Sequence, residues 1–180
     1  MIKSGLLLID KAPGCTSHDV VKDVRRILKT KSVGHSGTLD PFASGLMVLL
    51  VEQATKISDY LRDSDKSYWL KAKLGAETDT LDLTGEISRT TNVQVDPVDL
   101  KRVMERATGE MQLPIPLFSA KKINGKKLYD YARQGESIEV PEKTMHFYDI
   151  SIDEVSDQSF SAQISCKSGS FIRAWAKYVG

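Results

Sequence analysis

Val33-Gly34-His35-Ser36-Gly37-Thr38-Leu39-Asp40-Pro41-Phe42-Ala43-Ser44-Gly45 is followed at once by the apolar run Leu46-Met47-Val48-Leu49-Leu50-Val51. The second part reads as a strand bounded by turn signals. The first reads as a fixed, non-repetitive loop: three glycines lie within twelve residues, and Pro41 biases Asp40 away from the helical region. Asp40 is the only carboxylate between Asp23 and Glu52. One acid and one imidazole, His35, therefore share a polar loop anchored by an apolar strand, an arrangement that suits chemistry. The same residues also fit an ordinary Gly- and Pro-rich surface turn.

Outward from this stretch the elements alternate without βαβ regularity. Gly5 to Asp10 reads as a short buried strand, and Ser17 as the N-cap of a helix with Val20, Val21, Val24, Ile27 and Leu28 at helical spacing. Ala54 to Leu61 reads as a helix with Ile57, Tyr60 and Leu61 inward. Ser67 to Leu74 alternates as a strand, with Tyr68, Leu70, Ala72 and Leu74 on one face. Gly75 to Gly85 is an acidic Thr/Asp-rich loop. Asp96-Pro97 starts a helix that runs to Thr108. Met145 to Val155 and Phe160 to Cys166 read as an antiparallel pair, and Ser170 caps a last helix with Ile172, Trp175, Ala176 and Val179. The fold class expected is α+β, a mixed and largely antiparallel sheet with flanking helices. Pro114 to Glu142 differs, with three prolines, Asn124-Gly125, and one short helical stretch near Leu128 to Arg133. It reads as a mobile functional insertion within one domain spanning 1–180.

The 180 residues favour one sizeable core over two small domains. No stretch approaches the roughly 20 apolar residues of a membrane span, so a cytoplasmic protein is expected. Cys15 and Cys166 form no framework, and His18, His35 and His146 are scattered, which speaks against a Cys/His metal site. Net charge is only +1, but Lys22 to Lys31 carries a local +4, and so does Lys121 to Arg133 through Lys121, Lys122, Lys126, Lys127 and Arg133. Two basic patches on a neutral chain fit a polyanion, and solvated surface charge fits them equally well.

Gly34-His35-Ser36-Gly37-Thr38-Leu39-Asp40-Pro41 with Ala43-Ser44-Gly45-Leu46 resembles the signature of the TruB family, the bacterial tRNA pseudouridine-55 synthases. Leu7 to Lys11, Thr16 to Asp19, Ala54 to Lys56, Asp65 to Tyr68, Thr78-Asp79-Thr80 with Asp82 and Gly85, Ser119-Ala120, and Gly125 to Tyr129 follow in family order. The resemblance implies isomerisation of one uridine in the T-arm of tRNA, with no cofactor and no metal, and a monomer that needs no protein partner. It implies catalytic roles for Asp40 and Arg173, and substrate-binding roles for His35, Tyr68 and Phe171. Lys121, Lys122, Lys126, Lys127 and Arg133 are implied as RNA-binding, on the thumb-like insertion 114–142. Three departures stand out: Lys11-Ala12-Pro13-Gly14 replaces Lys-Pro-x-Gly, Phe171 replaces a tyrosine, and the family's C-terminal part, including its PUA domain, lies beyond the sequence. A dyskerin-like, guide-RNA-dependent synthase and a poorly catalytic RNA-folding module are the alternative readings. The first shares the Asp40 loop, and Gly125 to Arg133 sides with the stand-alone enzymes.

Overall fold

The structure, a computed structural model, describes residues 4–180, which fall into two compact units divided after Ser64. Where length alone favours one core, the buried apolar side chains form two clusters, one in each unit.

The first unit is a three-stranded antiparallel sheet packed on one helix. Its elements are β1 (Gly5–Lys11), α1 (Ser17–Leu28), β2 (Val33–His35) and β3 (Gly45–Val51), in sheet order β1-β3-β2. β3 is central, pairing Leu7 with Leu49 on one side and His35 with Leu49 on the other. Met47, Leu49 and Val51 pack with Val21, Val24 and Val33, joined by Leu7 and Ile9. β1 is buried on this face alone: Leu6 and Leu8 are 46% and 69% exposed, so the apolar run is a one-sided strand rather than a buried one. Thr16, not Ser17, caps α1, in a reciprocal capping box with Asp19 that frees Ser17 for another contact. The segment after β3 is a 3₁₀ turn (Glu52–Ile57) leading into the short α2 (Ser58–Arg62). Ile57 and Tyr60 are exposed there, against the expected inward stripe, because the tighter 3₁₀ turn does not keep the 3.6-residue phase.

The second unit is built on a four-stranded antiparallel sheet, β4 (Lys66–Lys73), β7 (Gly109–Pro114), β10 (Glu142–Ser156) and β11 (Ser159–Cys166), in order β4-β11-β10-β7. The alternation of Tyr68, Leu70 and Ala72 is reproduced, and every sheet pairing among the described residues is antiparallel. α3 (Pro97–Arg106), capped by Asp96, and α5 (Ile172–Val179) bring Leu100, Met104, Ala174 and Trp175 to the sheet's core. The small hairpins β5 (Ala76–Thr78)–β6 (Ile87–Thr90) and β8 (Lys122–Ile123)–β9 (Lys126–Lys127), with α4 (Leu128–Arg133), complete the unit.

Trp175 is the centre of this core. It is fully buried against Phe147 and Phe160, and its indole N–H donates to the Ala107 carbonyl at 2.9 Å. Trp175→Ala is therefore expected to cost about 3–5 kcal/mol, as large-to-small aromatic truncations do. Trp175→Phe recovers most of the volume but strips the Ala107 oxygen of its donor, a loss of about 1–3 kcal/mol. Urea titrations should show both as lower midpoints with little change in slope.

Candidate functional site

The Asp40 loop is fastened on both sides of the acid by buried side chains from the end of β1 and the start of α1. Lys11, only 1% exposed, donates its ammonium to the carbonyls of Ala12 (3.0 Å), Cys15 (2.9 Å) and Pro41 (3.3 Å). The Pro41 carbonyl also accepts from the Gly14 amide at 2.8 Å. On the other side, the buried Ser17 hydroxyl donates to the Leu39 carbonyl at 2.9 Å and accepts from the Leu39 amide at 3.0 Å. Residues 39 and 41 are thus pinned through their backbones, leaving the half-buried Asp40 side chain to be aimed by the loop between them. Such preorganisation is what a reacting carboxylate requires. His35 bonds through Nδ1 to the Gly37 carbonyl at 2.8 Å. A carbonyl can only accept, so Nδ1 carries the proton and Nε2 is left for a ligand.

In the second unit, a turn from Lys167 to Phe171 leads into α5 and is tied down along its length. β10 supplies most ties. Lys143 donates to the Gly169 carbonyl at 2.7 Å, and the His146 amide donates to the Ser170 hydroxyl at 3.1 Å. The His146 carbonyl accepts from the Lys167 amide at 3.0 Å, and the Phe171 amide meets the Met145 sulfur at 3.4 Å. Gly169 sits at φ +78°, a conformation that favours glycine, and a Cβ there would displace the end of the Lys143 side chain. Burial, and then the charge of Lys121, hold the Lys143 ammonium below the usual lysine value. Ser170 is thereby spent on β10, and Phe171 takes the N-cap position of α5 without a side-chain cap.

The turn is also linked to the start of β4. Asp65 accepts from the Lys167 ammonium at 2.8 Å and from the Tyr148 hydroxyl at 2.5 Å. The Lys167 hydrogen bond, then that of Tyr148, lowers the Asp65 carboxyl, and the Asp65 bond pushes Tyr148 up to about 12. Tyr68, three residues on, and Phe171 both pack half-buried against the same core.

Arg173 lies in the first turn of α5, only 8% exposed. It donates to the carbonyls of Thr80 (2.8 Å) and Phe118 (3.0 Å). The Thr80 segment is a compact knot: one Asp82 carboxylate oxygen accepts from the hydroxyls of Thr80 (2.8 Å) and Thr84 (2.6 Å) and from the Thr84 amide (2.9 Å). Gly85 closes it; a Cβ would meet Asp79 Oδ1 and Thr80 Oγ1 at 2.3 Å each. The expected acidic loop is thus an ordered support for the arginine.

The basic residues 121–133 occupy the β8–β9 hairpin and α4. Asn124 and Gly125, both at positive φ, form its turn. Leu128, fully buried, roots the segment in the core. Three of its five cations are already engaged within the fold. Lys126 pairs with Glu136 at 2.8 Å, bonds to Gln134 and lies over the Tyr131 ring. Lys127 donates to the Tyr129 hydroxyl at 2.8 Å, and Arg133 lies over the Tyr129 ring. Lys121 and Lys122 are exposed.

Sequence reasoning named Asp40, His35, Tyr68, Phe171 and Arg173 but gave no role to Lys143 or Met145, whose contacts come from a strand distant in sequence. Lys11 was visible only as a motif flank, and Ser17 as a helix N-cap rather than a tie to Leu39. Among the described residues no three His, Cys, Asp or Glu side chains are grouped to hold a metal ion, and no helix is long and apolar enough to cross a membrane.

Comparison with known proteins identifies the fold and the family. Two solved structures, a Cbf5-Nop10-Gar1 complex and an H/ACA RNP bound to a substrate RNA containing 2′-deoxyuridine, share the fold. Their TM-scores are 0.72 and 0.70 over 98% of this chain, at 24% and 23% identity, with 43% and 42% of those chains covered. The tRNA pseudouridine synthase B of Bdellovibrio bacteriovorus is 47% identical over 98% of this chain and 58% of that protein. The Bacillus subtilis protein of the same name is 40% identical over 98% of this chain and 60% of its own length. The chain thus spans about 60% of the length of such curated relatives. The family model described as TruB family pseudouridylate synthase (N terminal domain) matches residues 25–172, and by that match, spanning the Asp40 loop and every element from β2 to β11, the chain belongs to the TruB family.

Proposed function

We propose that this chain carries the catalytic centre of a tRNA pseudouridine synthase that converts one uridine of the T-arm, uridine 55, to pseudouridine. The observation that carries the reading is Asp40 itself, one acid on a loop whose backbone is pinned on either side by Lys11 and Ser17. The N1–C1′ bond of the uridine breaks, the base turns while retained, and a C5–C1′ bond forms; C5 gives up its proton to solvent and N1 takes one, so the formula is unchanged. The Asp40 carboxylate attacks the sugar or removes a proton from it. Arg173 is carried over from the family motif as the second catalytic residue, the arginine whose forked guanidinium suits a carboxylate.

A uridine must leave its stack to reach Asp40, at a cost of a few kcal/mol. Tyr68 stacks on the extruded base and returns about 1–3 kcal/mol. Phe171 packs on the same base without the family's hydroxyl, and His35, with Nε2 available, helps hold the displaced nucleotide. The thumb-like segment 114–142, rooted by Leu128 and carrying Lys121, Lys122, Lys126, Lys127 and Arg133, closes on RNA phosphates as its internal pairs exchange for them. The protein acts as a cytoplasmic monomer on tRNA alone. The stand-alone reading is favoured over a guide-RNA-dependent one because relatives named tRNA pseudouridine synthase B reach 47% identity, against 24% for the Cbf5 complex.

Tritium release from a T-arm stem-loop labelled at uridine C5 tests the reading. Release at the target uridine alone is expected; none, with RNA bound, would leave an RNA-binding module. A companion experiment addresses the pocket. Phe171→Tyr restores the hydroxyl at a half-buried position and is expected to keep kcat within about threefold or raise it, since one hydrogen bond is worth only about 0.5–1.5 kcal/mol. A large fall would show a pocket rebuilt around the phenyl ring.

A further inference from the structure

The first unit holds an open cavity of about 690 Å³ between α1, β2, α2 and the near side of residues 36–38. Its size is within the range of small-ligand sites. Its charged lining is of one sign: Arg25 from α1, Lys31 from the α1–β2 connection and Arg62 from the end of α2, with the imidazoles of His18 and His35. No carboxylate lines it, and serine and threonine hydroxyls fill much of the remaining wall. Arg25 donates Nη2 to the Val33 carbonyl at 2.8 Å, which fixes its guanidinium, while its Nε is buried without a hydrogen-bond partner. Arg62 pairs with Asp59 at 3.0 Å, but both side chains are more than half exposed, so the pair is weak and exchangeable.

Lys22 and Arg26, on the same helix as Arg25, do not line the cavity. Cations converging on a concave surface with no carboxylate in its lining focus a positive potential that attracts an anion. Arginine and hydroxyl donors fit phosphate oxygens. The wall from Gly34 to Thr38 belongs to the loop that presents Asp40.

We propose that this cavity is a second RNA subsite, which takes a backbone phosphodiester of the substrate strand close to the nucleotide offered to Asp40, with Lys31, Arg62 and Arg25 as its ligands. The inference rests on the reading of the chain as an RNA-modifying enzyme and adds a binding site to it. Its occupant holds the strand in register on the far side of His35, so that extrusion of the target base does not release the RNA.

The experiment compares the double variant Lys31→Gln/Arg62→Gln with Lys22→Gln/Arg26→Gln, which removes as much charge outside the cavity. Binding of a fluorescent T-arm stem-loop is followed by polarisation over a salt series, and turnover is read in parallel by tritium release. The cavity double is expected to weaken binding about tenfold and to reduce the salt slope by about 1.4, the yield of two contacts on single-stranded RNA. The control double should change neither by more than about twofold. Lys31→Arg/Arg62→Lys should retain wild-type binding, and matching thermal melts exclude misfolding. Equal behaviour of the two Gln doubles would overturn the subsite. Absent turnover combined with the expected binding pattern would overturn the catalytic reading and leave the subsite standing.

Discussion

Asp40→Asn is expected to lower the rate of isomerisation by at least about 10³-fold while RNA affinity stays within a few-fold of wild type. Loss of a group that acts directly on the substrate has effects of this order or greater. The exchange is nearly isosteric, and the bonds that shape the loop are made to the backbone of residues 39 and 41, so its geometry should survive. Binding energy comes from phosphates and stacking, which the substitution does not touch. Single-turnover tritium release and polarisation on the same RNA separate the two effects. Near-wild-type release from a preparation free of contaminating enzyme would remove Asp40 from the chemistry.

Much of this was legible in the chain because the relevant signals are local. The period-two run around Tyr68 became β4, Asp96-Pro97 opened α3, and the helical stretch Leu128 to Arg133 became α4. What was not legible depends on partners far away in sequence. Ser17 and Ser170 both carry cap residues' chemistry, yet each hydroxyl is committed to a distant backbone, at Leu39 and His146. The Leu6–Leu8 run looked buried because apolar content says nothing about which face a sheet covers. β2 and β7 escaped notice for different reasons: β2 has three residues, and β7 is divided between a glycine and a proline that read as breakers. The basic insertion looked self-repelling in one dimension. In three, Glu136, Tyr129 and Tyr131 fold back on its cations. The support of the Phe171 turn by Lys143, Met145 and His146 is a pure tertiary property, since nothing in residues 143–146 announces what they will hold.

Arg173→Lys should be nearly as damaging to turnover as the loss of Asp40, with a fall of at least about 10²-fold in kcat and a much smaller change in KM. The charge is kept, so an effect of this size isolates the geometry of the guanidinium. In the fold its two terminal nitrogens serve two separate strands of backbone, at Thr80 and Phe118. A lysine ammonium is a single point and cannot span both. One carbonyl is then left without its donor in a site only 8% exposed, and that loss alone is worth about 1–3 kcal/mol. Because Thr80 belongs to the knot built on Asp82 and closed by Gly85, it cannot readily follow a shorter side chain. Two readouts distinguish this role from a structural one. The thermal midpoint of Arg173→Ala should fall, and supplied guanidinium ion should restore part of its turnover without restoring that midpoint. Rescue by methylammonium as well as by guanidinium would mean that only charge matters, and the forked geometry would have no part in the reaction.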